Sequence, residues 1–187
     1  MSGRVLFHVQ HLLGSGHLRR AAALGEAMAA AGLDVTLASG GMPLSHLALG
    51  QARLAQLPPV RATDVNFRNL VDAAGAPIDE TWRVARREAL LRLFGELRPD
   101  ALITELFPFG RRMMEFELLP LLDAARAAKP RPLILASLRD ILAPASSPAK
   151  AAATVERVRR DYDHILVHGD ANFLPRSEEH TSELQSR

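Results

Sequence analysis

A strand-length apolar run, Val5-Leu6-Phe7-His8-Val9, leads into Leu12-Leu13-Gly14-Ser15-Gly16-His17-Leu18-Arg19-Arg20, and an alanine-rich stretch follows to Ala31. Strand, glycine turn and helix in that order restrict the chain to a small set of α/β architectures. Glycine permits torsions that a side chain forbids and lets a ligand approach the main chain. The opening amides of such a helix lack intrahelical acceptors and carry the positive end of its dipole. The turn therefore suits a phosphate or a developing oxyanion. His17 stands at the helix start, with a ring that exchanges a proton near neutral pH.

The same alternation continues along the chain. Strands are expected over residues 5–9, 34–39, 53–57, 101–104, 133–137 and 164–167, and helices over 17–31, 81–97, 111–128 and 151–161. Residues 60–80, with Gly75 and Pro77, read as an irregular excursion at the rim. On the second helix Trp82, Ala85, Ala89, Leu93 and Leu97 are expected to share the buried face. The pattern predicts a doubly wound, mostly parallel, Rossmann-like α/β domain. Ligands on such sheets bind beyond the carboxyl ends of the strands. His17, Ser39, Glu105, Arg139 and His168 all fall just past a strand. With Gly14, Ser15, Gly16 and Gly40 they form the candidate ligand site.

Several function classes are excluded or weakened by composition. With 187 residues, 48% of them hydrophobic, the chain can bury a sizeable core. It has no cysteine, which removes disulfides and thiolate-ligated metals. No apolar run reaches the roughly 18–20 residues of a membrane span, and no signal peptide is visible, so a cytoplasmic location is expected. Of 23 basic residues only Lys129 and Lys150 are lysines, and the arginines are scattered rather than striped. With one Trp and one Tyr, a nucleic-acid partner is not expected. A basic face for peripheral contact with an anionic membrane stays open.

The motifs narrow the chemistry further. Gly14-Ser15-Gly16 lacks the third glycine of a dinucleotide fingerprint, because Arg19 stands there. Ser39-Gly40 ends the second strand where a ribose-binding carboxylate would be needed. No P-loop occurs. Asp161-Tyr162-Asp163 matches a metal-holding Asp-x-Asp, but it lies on the wrong side of the sheet and reads as helix-end polar residues. His8 with His11, and His164 with His168, lack companions at ligand spacing, so no metal is expected; His8 reads as a core histidine. Glu105 is either a cap carboxylate pairing with Arg111 or Arg112, or a substrate contact. Arg139-Asp140 reads as an internal ion pair or a ligand contact, and Phe107 with Phe109 as hydrophobic wall.

Strand, Gly14-Ser15-Gly16-His17, helix, strand and Ser39-Gly40-Gly41 together resemble the N-terminal half of GT-B glycosyltransferases, with the MurG-like group the nearest well-known type. Phe7 through Arg20 is similar to uncharacterised predicted glycosyltransferases of bacteria. Glu105 through Arg112, Arg139-Asp140-Ile141-Leu142 and Val167-His168-Gly169-Asp170 extend that resemblance over residues 4–174. It implies a two-domain, inverting enzyme without a bound metal or other cofactor. The N-terminal domain would hold the acceptor, which in the MurG-like group is lipid-linked, and the missing C-terminal domain most of the nucleotide-sugar donor. His17 takes the role of base or phosphate contact. The MurG-like loop has one more glycine before its histidine, a departure at Ser15. Half of a nucleotide-sugar epimerase and a non-catalytic ligand-binding domain remain as other classes.

Residues 176–187, Arg-Ser-Glu-Glu-His-Thr-Ser-Glu-Leu-Gln-Ser-Arg, lack alanine, glycine and apolar periodicity. Through Ser186 they resemble the translation of a common sequencing adapter. The expected organisation is a Rossmann-like domain over 1–175 and a non-native, disordered tail over 176–187, with the natural gene continuing past Pro175.

Overall fold

The computed structural model describes residues 2–139 and 147–169. Six parallel strands form the main sheet: β1 (Arg4–Val9), β2 (Asp34–Ser39), β3 (Arg53–Gln56), β6 (Ala101–Glu105), β7 (Leu133–Arg139) and β8 (His164–His168). Their order is β3-β2-β1-β6-β7-β8. The helices are α1 (Gly16–Ala30), α2 (Glu80–Leu97), α3 (Glu115–Ala127) and α4 (Pro148–Asp161). This is the doubly wound arrangement that the alternation predicts, with all six strands at the expected places.

Continuous apolar runs form the central strands because both of their faces are covered. Val5, Phe7, Val9, Val35, Leu37, Ile103 and Leu135 share one core with Leu18, Ala21, Ala22 and Ala29 of α1. Leu6, Ala38, Leu102, Ile134 and Ala136 face the opposite core, built with Leu90, Phe94, Leu118, Leu121 and Leu122 of α2 and α3. Each fully buried leucine contributes about 1.5–3 kcal/mol of transfer free energy. On α1, Gly25 packs so closely that a Cβ there would lie 2.7 Å from Leu37 Cδ1. That contact brings α1 down onto β2 and sets where its N-terminus emerges.

Four expectations change. The excursion is not wholly irregular: β4 (Arg61–Ala62) and β5 (Leu70–Val71) pair antiparallel within it. The Asp64 carboxylate closes this hairpin by accepting from the amides of Asn66 and Asn69 at 2.8 and 3.0 Å. The hairpin is tied to the sheet's carboxyl edge, since the Ala62 amide donates to Leu12 O and the Val60 amide to Gly40 O. On α2 the buried ridge is Arg86, Leu90 and Phe94; Trp82, Ala89, Leu93 and Leu97 flank it, and Ala85 is exposed. An arginine takes the N-terminal place on the ridge because partners on other elements satisfy it. The third helix begins later than expected, behind a 3-10 turn at Arg112–Met114 that follows Arg111 in the left-handed region at φ 61°. The fourth begins earlier, with Ser147 accepting from the Lys150 amide.

Candidate functional site

The sheet connections run in opposite directions from β1 and β6, which are neighbours, so their carboxyl ends flank a topological switch point. The loop after β1 carries Gly14 and Ser15, and Gly16 and His17 open α1 behind it. Gly14 adopts φ +61°, which glycine accepts without strain, whereas Gly16 opens α1 and is not in the left-handed region. A Cβ at either glycine would meet nothing within 4 Å, so the turn faces open space. No acidic side chain stands in the first turn of α1, and Ser15 makes no cap bond to it. Its hydroxyl accepts instead from Arg19 Nε at 3.2 Å.

His17 Nδ1 lies 3.1 Å from Glu105 Oε1, at the end of β6. A carboxylate only accepts, so Nδ1 carries the proton and Nε2 presents a lone pair. Burial first, then the charges of Arg111, Arg20 and Arg139, push the ring down to about 4, and it is neutral at pH 7. The side chain nevertheless keeps 22% of its surface exposed, enough for a ligand to reach it. Glu105 is buried, and its partner is Arg20 rather than Arg111 or Arg112. Its second oxygen accepts from Ser137 Oγ of β7 at 2.9 Å. Ser137 Oγ lies 3.2 Å from Nε2 of His168, at the end of β8. Having given its proton to Glu105, Ser137 accepts there and His168 Nε2–H donates. His168 is held below its ordinary value by burial and by Arg20.

The structure thus gathers His17, Glu105 and His168 into one hydrogen-bonded series, with Arg139 close enough to act on His17 through its charge. Arg111 joins them from the turn before α3: its Nε donates to Gln10 O at 2.8 Å and its guanidinium lies over Phe67 of the excursion at 5.8 Å. Three guanidiniums and one carboxylate leave the site cationic. Asp140 and Asp170 lie outside the described residues.

Ser39 and Gly40 occupy a different environment. Ser39 is fully buried at the end of β2. Gly40 carries no side chain because Arg86 Nη2 and Gln10 Oε1 stand 2.0 and 2.1 Å from where its Cβ would be. Arg86 was invisible to sequence reasoning as an interior residue. Its Nη1 donates to Gly40 O and Pro58 O at 3.0 and 2.6 Å, and its Nη2 to Gln10 Oε1 and Glu117 Oε1 at 2.7 and 2.8 Å. Its Nε stands 2.7 Å from Glu117 Oε2. His8 Nε2 donates to Glu117 Oε1 at 3.2 Å, so His8 is the satisfied core histidine expected. Burial alone would raise the Glu117 carboxyl, but Arg86 and His8 outweigh it and hold it below its ordinary range. This cluster clamps the β1 and β2 ends to α2 and α3, and so supports the floor of the site.

His11, also buried, donates from Nε2 to Met42 O at 3.1 Å, and its ring would collide with any Cβ at Gly41. Asp161 and Asp163 are engaged by Arg126, Arg160 and Arg131 at the far end of the sheet, where Asp163 also accepts from the Ile134 amide. Phe107 is wholly buried and Phe109 packs against the same core, the wall expected of them. Among the described residues no three His, Asp or Glu side chains come together as metal ligands. Nor is any described helix long and apolar enough to cross a membrane. A cavity of about 270 Å³ between the β6 turn and α4 is lined by Pro108, Arg112, Glu115, Lys150, Thr154 and Arg157, among others, and by none of the candidate residues. Its Arg112 and Arg157 are bound to Thr154 and Glu115, so they serve helix packing.

No protein-family model matches the chain, and no curated protein matches it. Solved structures do match. CalG4, the calicheamicin glycosyltransferase, is 16% identical with a TM-score of 0.52, over 96% of this chain and 51% of that one. Apo UGT2 of Phytolacca americana is 14% identical with a TM-score of 0.52, over 93% of this chain and 48% of that one. The chain therefore spans about half the length of each. At these identities the likeness shows the fold: a Rossmann-like α/β domain of the kind found in glycosyltransferases of the GT-B type.

Proposed function

We propose that the chain is the acceptor-side, N-terminal domain of a MurG-like, metal-independent, inverting glycosyltransferase, and that His17 is its general base. The observation that carries this reading is the Glu105–His17 pair beside an open glycine turn. Glu105 fixes the ring with Nδ1 protonated, leaving Nε2 to take the proton of an acceptor hydroxyl. The acceptor oxygen attacks the anomeric carbon of a nucleotide-sugar, the bond to the diphosphate oxygen breaks, and the sugar inverts. The leaving nucleoside diphosphate carries away the electron pair, and His17 holds the proton.

A ring pushed to about 4 is a weak base in the free protein. A diphosphate beside Arg20, Arg111 and Arg139 offsets the charges that depress it and returns it toward neutrality, where a general base works best. Donor binding would thus make the base competent. The donor is held mainly by a second domain; the acceptor, in this reading, is a hydroxyl on a lipid-linked molecule presented at a membrane surface. The test is His17→Ala in a form that includes the donor-binding domain. Turnover should fall about 10²–10⁴-fold. An unchanged rate with intact folding leaves a non-catalytic ligand-binding domain as the better reading, and a rise in KM alone makes His17 a ground-state contact.

A further inference from the structure

His17 and Arg20 both meet Glu105 at Oε1, and the terminal torsion of a glutamate is broad, so a hold on Oε2 helps fix the plane of the carboxylate. Oε2 is held by the Ser137 hydroxyl, which has a single proton and two acceptors in reach, Glu105 Oε2 at 2.9 Å and His168 Nε2 at 3.2 Å. The proton goes to Glu105 only while His168 presents N–H at Nε2. The backbone keeps the series aligned: Glu105 pairs in register with Ser137, Arg139 with His168, and the Leu106 amide donates to Ser137 O at 2.9 Å.

We propose that Ser137 and His168 are positioning residues for the Glu105–His17 pair, acting through a hydrogen-bonded series that crosses the ends of β8, β7 and β6. The series rests on the reading of His17 as a base, but it is measurable without turnover. Around His17 the charged and titratable groups are Glu105 on β6, Arg20 on α1, Arg111 before α3, Arg139 on β7, and His11 after β1. Of these, Glu105 lies within the series and Arg20 is bound to it at Oε1, with a charge that also reaches His168. A change made at Ser137 or His168 therefore reaches His17 through the Glu105–Arg20 ion pair.

The experiment is imidazole ¹H–¹⁵N correlation on the labelled chain across pH. In the unaltered chain His17 should be neutral at pH 7 with Nδ1 protonated, and His168 should be protonated at Nε2. In Ser137→Ala, Glu105 loses a donor and becomes a stronger partner for imidazolium; the His17 midpoint should rise by about half a pH unit or more. Its tautomers should also mix. Ser137→Thr keeps the hydroxyl and should restore both. His168→Ala removes the N–H whose donation to Ser137 Oγ strengthens that hydroxyl's own bond to Glu105, so it should act in the same direction with smaller amplitude, and His168→Gln, which keeps an N–H, should recover the parent values. A His17 tautomer and midpoint unmoved by both alanine variants overturns the proposal. If Ser137→Ala does not fold, the His168 pair decides it, since His168 lies on the edge strand. Failure of the base reading looks different: these signatures persist while His17→Ala leaves turnover intact.

Discussion

At the scale of single residues, the site is defined by histidines kept uncharged among arginines. His17 is held at about 4 by burial and three guanidiniums, below the ordinary 6.5 it has in the unfolded chain. Between those two values the unfolded state binds more protons, so folding stability from this ring falls as the pH drops through that window. Above about 6.5 the ring makes no such difference; below about 4 the loss is complete. His11 and His168, also lowered, act in the same direction. Urea unfolding of the chain and of His17→Gln at several pH values between 7 and 5 isolates the one ring. The variant should gain relative stability as the pH falls, because glutamine does not titrate. A stability difference that stays constant over this range removes the claim that His17 is depressed.

At the scale of elements, the two glycines of the first turn do different work. Gly14, at φ +61°, holds a conformation that costs a β-branched residue about 1–3 kcal/mol. Gly16 opens α1 in ordinary backbone with empty space beyond it. Gly14→Val should therefore lower the urea midpoint clearly, while Gly16→Val should leave it nearly unchanged and cover the helix N-terminus where a ligand would approach. Equal destabilisation by both variants contradicts this division. The turn itself, and the six strands, were legible because uninterrupted apolar runs between glycine and proline punctuation have few other readings. The helix faces were less so. An arginine within a charged helix reads as solvated, and Arg86 becomes interior only through Gln10, Gly40, Pro58 and Glu117, which sequence spacing does not bring together. Likewise Glu105 sits 85 residues from Arg20, whereas Arg111 and Arg112 are its near neighbours along the chain and read as its partners. Ser137 gave no signal as a site residue, because it looks like any small strand residue, and Arg111 stood out only as a cap partner for Glu105.

At the scale of the whole molecule, the proposed reading makes this arrangement one wall of a reaction site. The switch point between β1 and β6 sets His17 and Glu105 at the sheet's carboxyl edge, with the hairpin over β4 and β5 as a rim. Gly14 and Gly16 face open space and Leu13 is 43% exposed, so water reaches His17 from the front. Sugar transfer requires the leaving diphosphate to be held while the acceptor oxygen is aimed at the anomeric carbon. Such positioning can supply about 7–11 kcal/mol of the barrier, and an open wall cannot enforce it on a bimolecular pair of substrates. Exclusion of water matters as well, because an exposed donor is hydrolysed rather than transferred. Under the proposed reading, the chain of 187 residues by itself should bind an anion weakly near Arg20, Arg111 and Arg139 and transfer no sugar. The measurement is a product assay with a panel of nucleotide-sugars and lipid or polyol acceptors, run on the purified chain. It is then repeated on a longer form carrying a donor-binding domain after residue 175. Turnover by the chain alone would show that one wall suffices and would overturn the two-domain reading. Turnover that appears only in the longer form, and is lost again on His17→Ala, would place the chemistry in the cleft between this wall and its counterpart.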